Sequence, residues 1–235
     1  MITSKKSAFT LIELLVVISI IAILAGIALP VFGEVQTRGA QTKALSNAKQ
    51  VGLACKLFAQ DYNGQFPMYT DPVNRAGKAN DSNGALQTLV PDYIADKSVF
   101  SIPKSVYCKN AGRGGTDATK LGNAENEWAY VVGLSDTSNA RFPLLADGFA
   151  EGGQYYIDDD SQPGGVWKGK KAVVIRVDIS GTVETCYKSG SGSGAGMRYT
   201  VKRDDDPKAN AFEKDPGAQP PWLNGQDVEI LNPAL

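Results

Sequence analysis

The chain has 235 residues, 43% hydrophobic and 21% charged, a balance that suits a folded protein and not a disordered one. A formal net charge of −1 leaves no basic surplus of the kind that marks bulk nucleic-acid binding, so no nucleic-acid partner is predicted. Histidine is absent, which removes His-based triads, His general bases and His metal ligands together and points away from an enzyme.

The first element is a short basic leader, residues 1–8, ending Lys5-Lys6-Ser7-Ala8. Behind it comes Phe9-Thr10-Leu11-Ile12-Glu13-Leu14, with one carboxylate at the mouth of an apolar run. Leu14 to Gly33 is uncharged throughout and mostly Leu, Ile, Val and Ala. About twenty helical residues suffice to cross a bilayer core of about 30 Å, so residues 9–33 are read as a transmembrane helix. Lys5 and Lys6 keep the leader cytoplasmic and send the remainder outward. An unpaired acid held deep in such a segment costs about 2.5–3.5 kcal/mol, so Glu13 asks for a cationic partner. The run itself supplies none, and the nearest source is an amine freed by cleavage just before Phe9. A secretory signal peptide would instead place an A-x-A-like site after the apolar run, where Ala25-Gly26-Ile27-Ala28 is only a weak version.

These residues, together with Leu15-Val16-Val17-Ile18 and Pro30, resemble the type IV pilin and type II secretion pseudopilin superfamily. The resemblance is strong over roughly the first 65 residues and holds only in outline beyond them. It implies cleavage between Ala8 and Phe9 by a prepilin peptidase and methylation of the new amine. It also implies pairing of Glu13 with the N-terminus of a neighbouring subunit, and a helix-disturbing role for Pro30. The family usually has Gly before the cut; Ala8 is a small substitute. The fold implied is α+β and pilin-like, a long N-terminal helix packed on a C-terminal antiparallel sheet. The partners implied are copies of the chain, other pilin-like subunits, the peptidase, the inner-membrane assembly machinery and, before assembly, membrane lipid. The location implied is the bacterial inner membrane, single-pass with a cytoplasmic N-terminus, and then a periplasmic or extracellular filament. The competing reading is a monomeric, helix-anchored extracytoplasmic binding protein for a glycan or other surface ligand, which would have no need of Glu13.

Residues 34–63 continue the helix in amphipathic form. Ala48, Val51, Cys55, Phe58 and Tyr62 recur at steps of 3 and 4 and line one face, with Leu45 extending it. A continuous helix from Phe9 to Asn63 would be about 80 Å long. Pro30 removes one of its hydrogen bonds and Gly26 loosens the turn before, predicting a kink or local melting between Ala22 and Pro30. Asn63-Gly64 is a helix stop.

Residues 64–235 are read as the exported head. A polar loop is predicted to residue 83, then one or two helical turns over Ala85–Val90 ended by Pro91, with Tyr93-Ile94 as a further core anchor. Strand signals follow at Trp128–Val132, Phe142–Ala146, Gln154–Ile157 and Val166-Trp167. The clearest hairpin is Lys171 to Tyr187, turning at Ile179-Ser180-Gly181. Ser189–Gly196 reads as a flexible loop, Arg198–Lys202 as one more strand, and residues 204–235, with five prolines, as mostly irregular.

Asp158-Asp159-Asp160 and Asp204-Asp205-Asp206 offer oxygen ligands of the kind Ca²⁺ takes, and calcium loops occur in the resembling family. Neither run has EF-hand spacing, and solvated turns account for them more simply; beyond calcium no cofactor is expected. Trp128, Trp167, Trp222 and Tyr155-Tyr156 serve either as a sugar-stacking surface or, as is usual for such residues, as core. Of the three cysteines, Cys55 falls on the apolar stripe. Cys108 and Cys186 lie in the exported part, where a disulfide between them and a reduced, buried state are both open.

Overall fold

The structure, a computed structural model, describes residues 10–103, 105, 117, 119–150, 153–191 and 197–234. The chain divides into two units, Met1–Ala40 and Gln41–Leu235, the second called the head below. Helix α1, Leu11–Asp61, contributes to both.

In the first unit α1 is rich in Val and Ile, which in water would favour strand. In a bilayer every backbone N–H and C=O must be satisfied within the segment, and a helix does that locally. Its large side chains are exposed, Leu11 at 87% and Leu29 at 71% among them, as expected of a surface that faces lipid or another helix. Ser19 and Thr37 turn their hydroxyls back onto the Leu15 and Gly33 carbonyls at 2.8 and 2.9 Å. The backbone stays helical through Ala22–Pro30 in this single subunit. Proline at position 30 withholds a donor from only one carbonyl, that of Gly26, and the flanking turns keep theirs.

In the head the apolar stripe is buried over Ala48, Val51, Cys55 and Phe58, each at most 3% exposed, while its two ends, Leu45 and Tyr62, are half-buried. It lies against the sheet closely enough that a Cβ at Gly52 would sit 3.1 Å from Ile175 Cγ2 and 3.3 Å from Ile179 Cδ1. The helix ends where the sequence indicates. Gly64 N–H reaches back to the Ala59 carbonyl at 2.7 Å, and Asn63 takes the left-handed conformation at φ 52°. That is the six-to-one closure of a Schellman cap. Tyr93 anchors the end of α1, its hydroxyl donating to Asp61 at 2.6 Å and its ring edge-on to Phe58.

After a small hairpin, β1 (Tyr69–Asp71) with β2 (Ala76–Lys78), come α2 (Ser82–Leu86) and 3₁₀ turns at Gln87–Leu89 and Lys97–Phe100. The remaining strands are β3 (Trp128–Val132), β4 (Pro143–Asp147), β5 (Tyr156–Ile157), β6 (Lys171–Arg176), β7 (Gly181–Ser191), β8 (Met197–Val201) and β9 (Glu229–Leu231). They form one antiparallel sheet in the order β5-β8-β7-β6-β4-β3-β9. The architecture is therefore α+β and pilin-like, a long N-terminal helix followed by an antiparallel sheet. The predicted hairpin is β6–β7, with Val173 opposite Val183.

Four expectations need correction. The loop predicted up to residue 83 contains β1 and β2, whose mostly exposed residues give no alternating signal. Strand β7 runs on to Ser191, because β8 offers a pairing edge to the Gly/Ser segment. Val166-Trp167 is turn and not strand. The C-terminal region is not wholly irregular: β9 pairs with β3, and Asn232 accepts from Ser82 N–H at 2.9 Å and Phe149 N–H at 3.1 Å.

Candidate assembly site

Phe9 and Ala8 lie outside the described residues. The first described turn nevertheless shows how the motif holds its carboxylate. Thr10 N–H donates to Glu13 Oε2 at 2.8 Å, and the Thr10 hydroxyl donates to the same oxygen at 2.7 Å. In return Glu13 N–H donates to Thr10 Oγ1 at 3.3 Å. This is a reciprocal capping box, built on the T-x-x-E spacing of Thr10-Leu11-Ile12-Glu13. Glu13 is thereby engaged at the start of α1, where the helix dipole favours negative charge. Sequence reasoning found Glu13 but missed Thr10, although the four-residue spacing was there to read. Pro30 falls nineteen residues after Leu11 within the same helix, away from this turn.

The head's candidates separate. Asp159 accepts from the Ser161 N–H and hydroxyl at 2.9 and 2.6 Å, and these bonds hold its carboxyl below the usual range. Asp160 pairs with Lys168 at 3.0 Å. Asp158, Asp159 and Asp160 are all exposed, and no group of three or more acidic or thiol side chains suited to a metal occurs among the described residues. In the second acidic run, Asp204 pairs with Arg176 at 3.3 Å and Asp205 with Arg203 at 2.9 Å. Arg203 is itself buried, bonded also to Asp215 and stacked over Trp222. Trp128, Trp167, Trp222 and Tyr156 are buried and fill the core, and Tyr155, half-buried, carries the Arg198 guanidinium over its ring at 4.4 Å. Cys55 and Cys186 are buried too, while Cys108, and with it the disulfide expectation, lies outside the described residues.

The function-bearing feature is thus the N-terminal segment. Residues 3–29 match the family model of the prokaryotic N-terminal methylation motif. The chain is 40% identical over 75 residues to the type IV major pilin protein PilA of Myxococcus xanthus. Over this N-terminal part the chain is type IV pilin-like. That similarity covers 32% of this chain and 32% of the length of its relative. No solved structure matches. The pilin-like character rests on the motif and this partial match, and the head of the pilin-like chain is described by its own structure alone.

Proposed function

We propose that the chain is a prepilin, cut between Ala8 and Phe9, methylated on the new amine and polymerised into a type IV pilus. What carries the reading is Glu13, one carboxylate fixed in the first turn of an exposed apolar helix inside a methylation motif. In the membrane the free subunit meets part of that acid's need through Thr10; in a filament the amine of a neighbouring Phe9 supplies the missing positive charge. The partners are then other copies of the chain and pilin-like subunits, a prepilin peptidase and the inner-membrane assembly machinery, with lipid around the helix beforehand. The N-terminus faces the cytoplasm and the head is exported. Pro30, one turn beyond Gly26, is the weakest point of the helix and the place for it to adjust on leaving the membrane. The pilin named in the partial match favours a pilus over a type II secretion pseudopilus. The same comparison supports a structural role.

The direct test is intact-mass measurement with N-terminal sequencing of protein purified from cells with an active prepilin peptidase. The expected result is a chain beginning at Phe9 and carrying one extra methyl group. A start after Ala28, or an uncut Met1, would overturn the assignment.

A further inference from the structure

Where α1 ends, the turn of the β1–β2 hairpin and the loop after β3 enclose a cavity of about 280 Å³. Its floor is apolar: Phe58, Phe66, Met68 and Leu134 line it and are buried. Tyr62 and Tyr69 form its sides, both half-buried, and Tyr62 is stacked on Phe58 with ring centroids 4.2 Å apart. Asn63, Gln65 and Arg75 stand exposed at its rim. Among the described residues, the side chains of Tyr62, Asn63, Gln65 and Tyr69 make no hydrogen bond, so their polar ends are free to serve a ligand.

The hairpin's own bonds hold the rim in place. Asp71 accepts from the Asn74 N–H at 3.0 Å and from the Asn74 side-chain amide at 2.8 Å, which closes the turn. The Thr70 hydroxyl donates to the Gly77 carbonyl at 3.0 Å. Arg75 takes the left-handed conformation at φ 51°, and its guanidinium lies over the Tyr69 ring at 5.7 Å. Arg75 is the sole charged residue of the lining, and among the described residues it makes no ion pair. A second cation, Lys56, lies over the Phe66 ring of the floor at 5.4 Å. Of the acids nearby, Asp71 is engaged in the turn, and Asp136, beside Gly64, is not part of the lining.

We infer that this cavity binds a small aromatic carboxylate, one ring with a short acid-bearing arm. Phe58, Tyr62, Phe66 and Tyr69 offer a ring the offset and edge contacts that aromatic groups prefer, and Met68 adds a polarizable sulfur. Arg75 presents a planar fork of donors to the carboxylate, and its uncompensated charge selects an anion over a neutral or cationic ligand. The rim amides and phenols supply further hydrogen bonds. The volume stands just below the range of about 300–1,000 Å³ usual for small-molecule sites, which fits one ring better than an extended chain. The site lies wholly within the head and does not depend on whether the chain polymerises.

The test irradiates the full-length chain, in a maltoside detergent, with para-azidobenzoate or with its neutral counterpart para-azidobenzamide, and maps the labelled peptides by mass spectrometry. The acid should label the segment from Phe58 to Arg75 in preference to the rest of the chain, and about tenfold more than the amide does. An excess of hydrocinnamate, which carries the same ring and acid without the azide, should remove that label. Asn is among the residues that accept a positive φ, so Arg75→Asn keeps the turn; it should lower the acid label by about tenfold and leave the amide label within about twofold. Arg75→Lys keeps the charge without the planar fork and should retain more of the acid label than Arg75→Asn. Equal labelling by acid and amide, label gathered on the apolar helix instead, or label that hydrocinnamate does not remove would each overturn the inference. So would an Arg75→Asn chain labelled like wild type, or one that loses both labels alike, since charge would then not be what selects the ligand.

Discussion

Glu13→Gln should leave the subunit in the membrane yet cut filament yield by about 10²–10⁴-fold, because a buried amine without its counter-ion costs about 3–5 kcal/mol. The capping box makes this substitution sharper than Glu13→Ala. A glutamine carbonyl at position 13 still accepts from Thr10 N–H, so the cap survives and only the charge is lost. Glu13→Ala removes both, adding about 1 kcal/mol of fraying at the start of α1. Thr10→Ala keeps the charge and drops the hydroxyl partner of Glu13, and should assemble to within about an order of magnitude of wild type. Quantifying sheared filaments against membrane-held subunit for the three variants separates charge from cap. Wild-type filament yield from Glu13→Gln would end the pairing hypothesis. A yield that tracks the cap, with Thr10→Ala as poor as Glu13→Ala, would assign the motif to helix initiation instead.

What could be read in the sequence followed from how local each cause is. The apolar run, its lone Glu13 and the Asn63-Gly64 stop are written in neighbouring residues, and each is where the spacing put it. The β6–β7 hairpin was legible because Val173, Ile175 and Val183 alternate around a short turn. Strand β3 also alternates in type, yet all five of its residues are buried, since the sheet is covered on both faces there. The hairpin β1–β2 is exposed and has no apolar face to announce it. Strand β9 exists because β3 leaves an edge open and because Asn83 and Asn232 hold the chain near it, and those partners lie far away in sequence. Likewise, nothing near Arg203 signals that it is buried: its cover is Trp222, and one of its two carboxylates is the distant Asp215.

Asp147 is a second case of distant cause, and it predicts that the head loses stability as pH rises from about 5 to about 8. The segment Leu144-Leu145-Ala146-Asp147-Gly148 looks like a strand running out into a polar turn. Instead Asp147 is 0% exposed, enclosed near Trp167 and Tyr156. Its Oδ1 accepts from Val173 N–H at 2.7 Å, while Oδ2 and the Trp167 indole nitrogen are buried without a hydrogen bond of ordinary geometry. Burial pushes the carboxyl up to about 7, against the weaker pull of the Val173 N–H, its own backbone and the nearby indole. The folded head therefore holds a proton that the unfolded chain gives up near pH 4. The stabilisation is complete below that value, falls as pH climbs to about 7, and is constant beyond. Between pH 5 and pH 8 the loss should be roughly 2–3 kcal/mol. The chain has no histidine to titrate in this window. The shifted carboxyls of Asp96, Asp117, Asp159 and Asp205 are pushed the other way and act only in acid. Denaturant unfolding of the full chain in detergent at the two pH values measures the loss, and Asp147→Asn, which cannot ionise, should abolish most of it. Equal stability of the wild type at pH 5 and pH 8, or an undiminished loss in Asp147→Asn, would show that the carboxyl is already ionised or that another group carries the dependence.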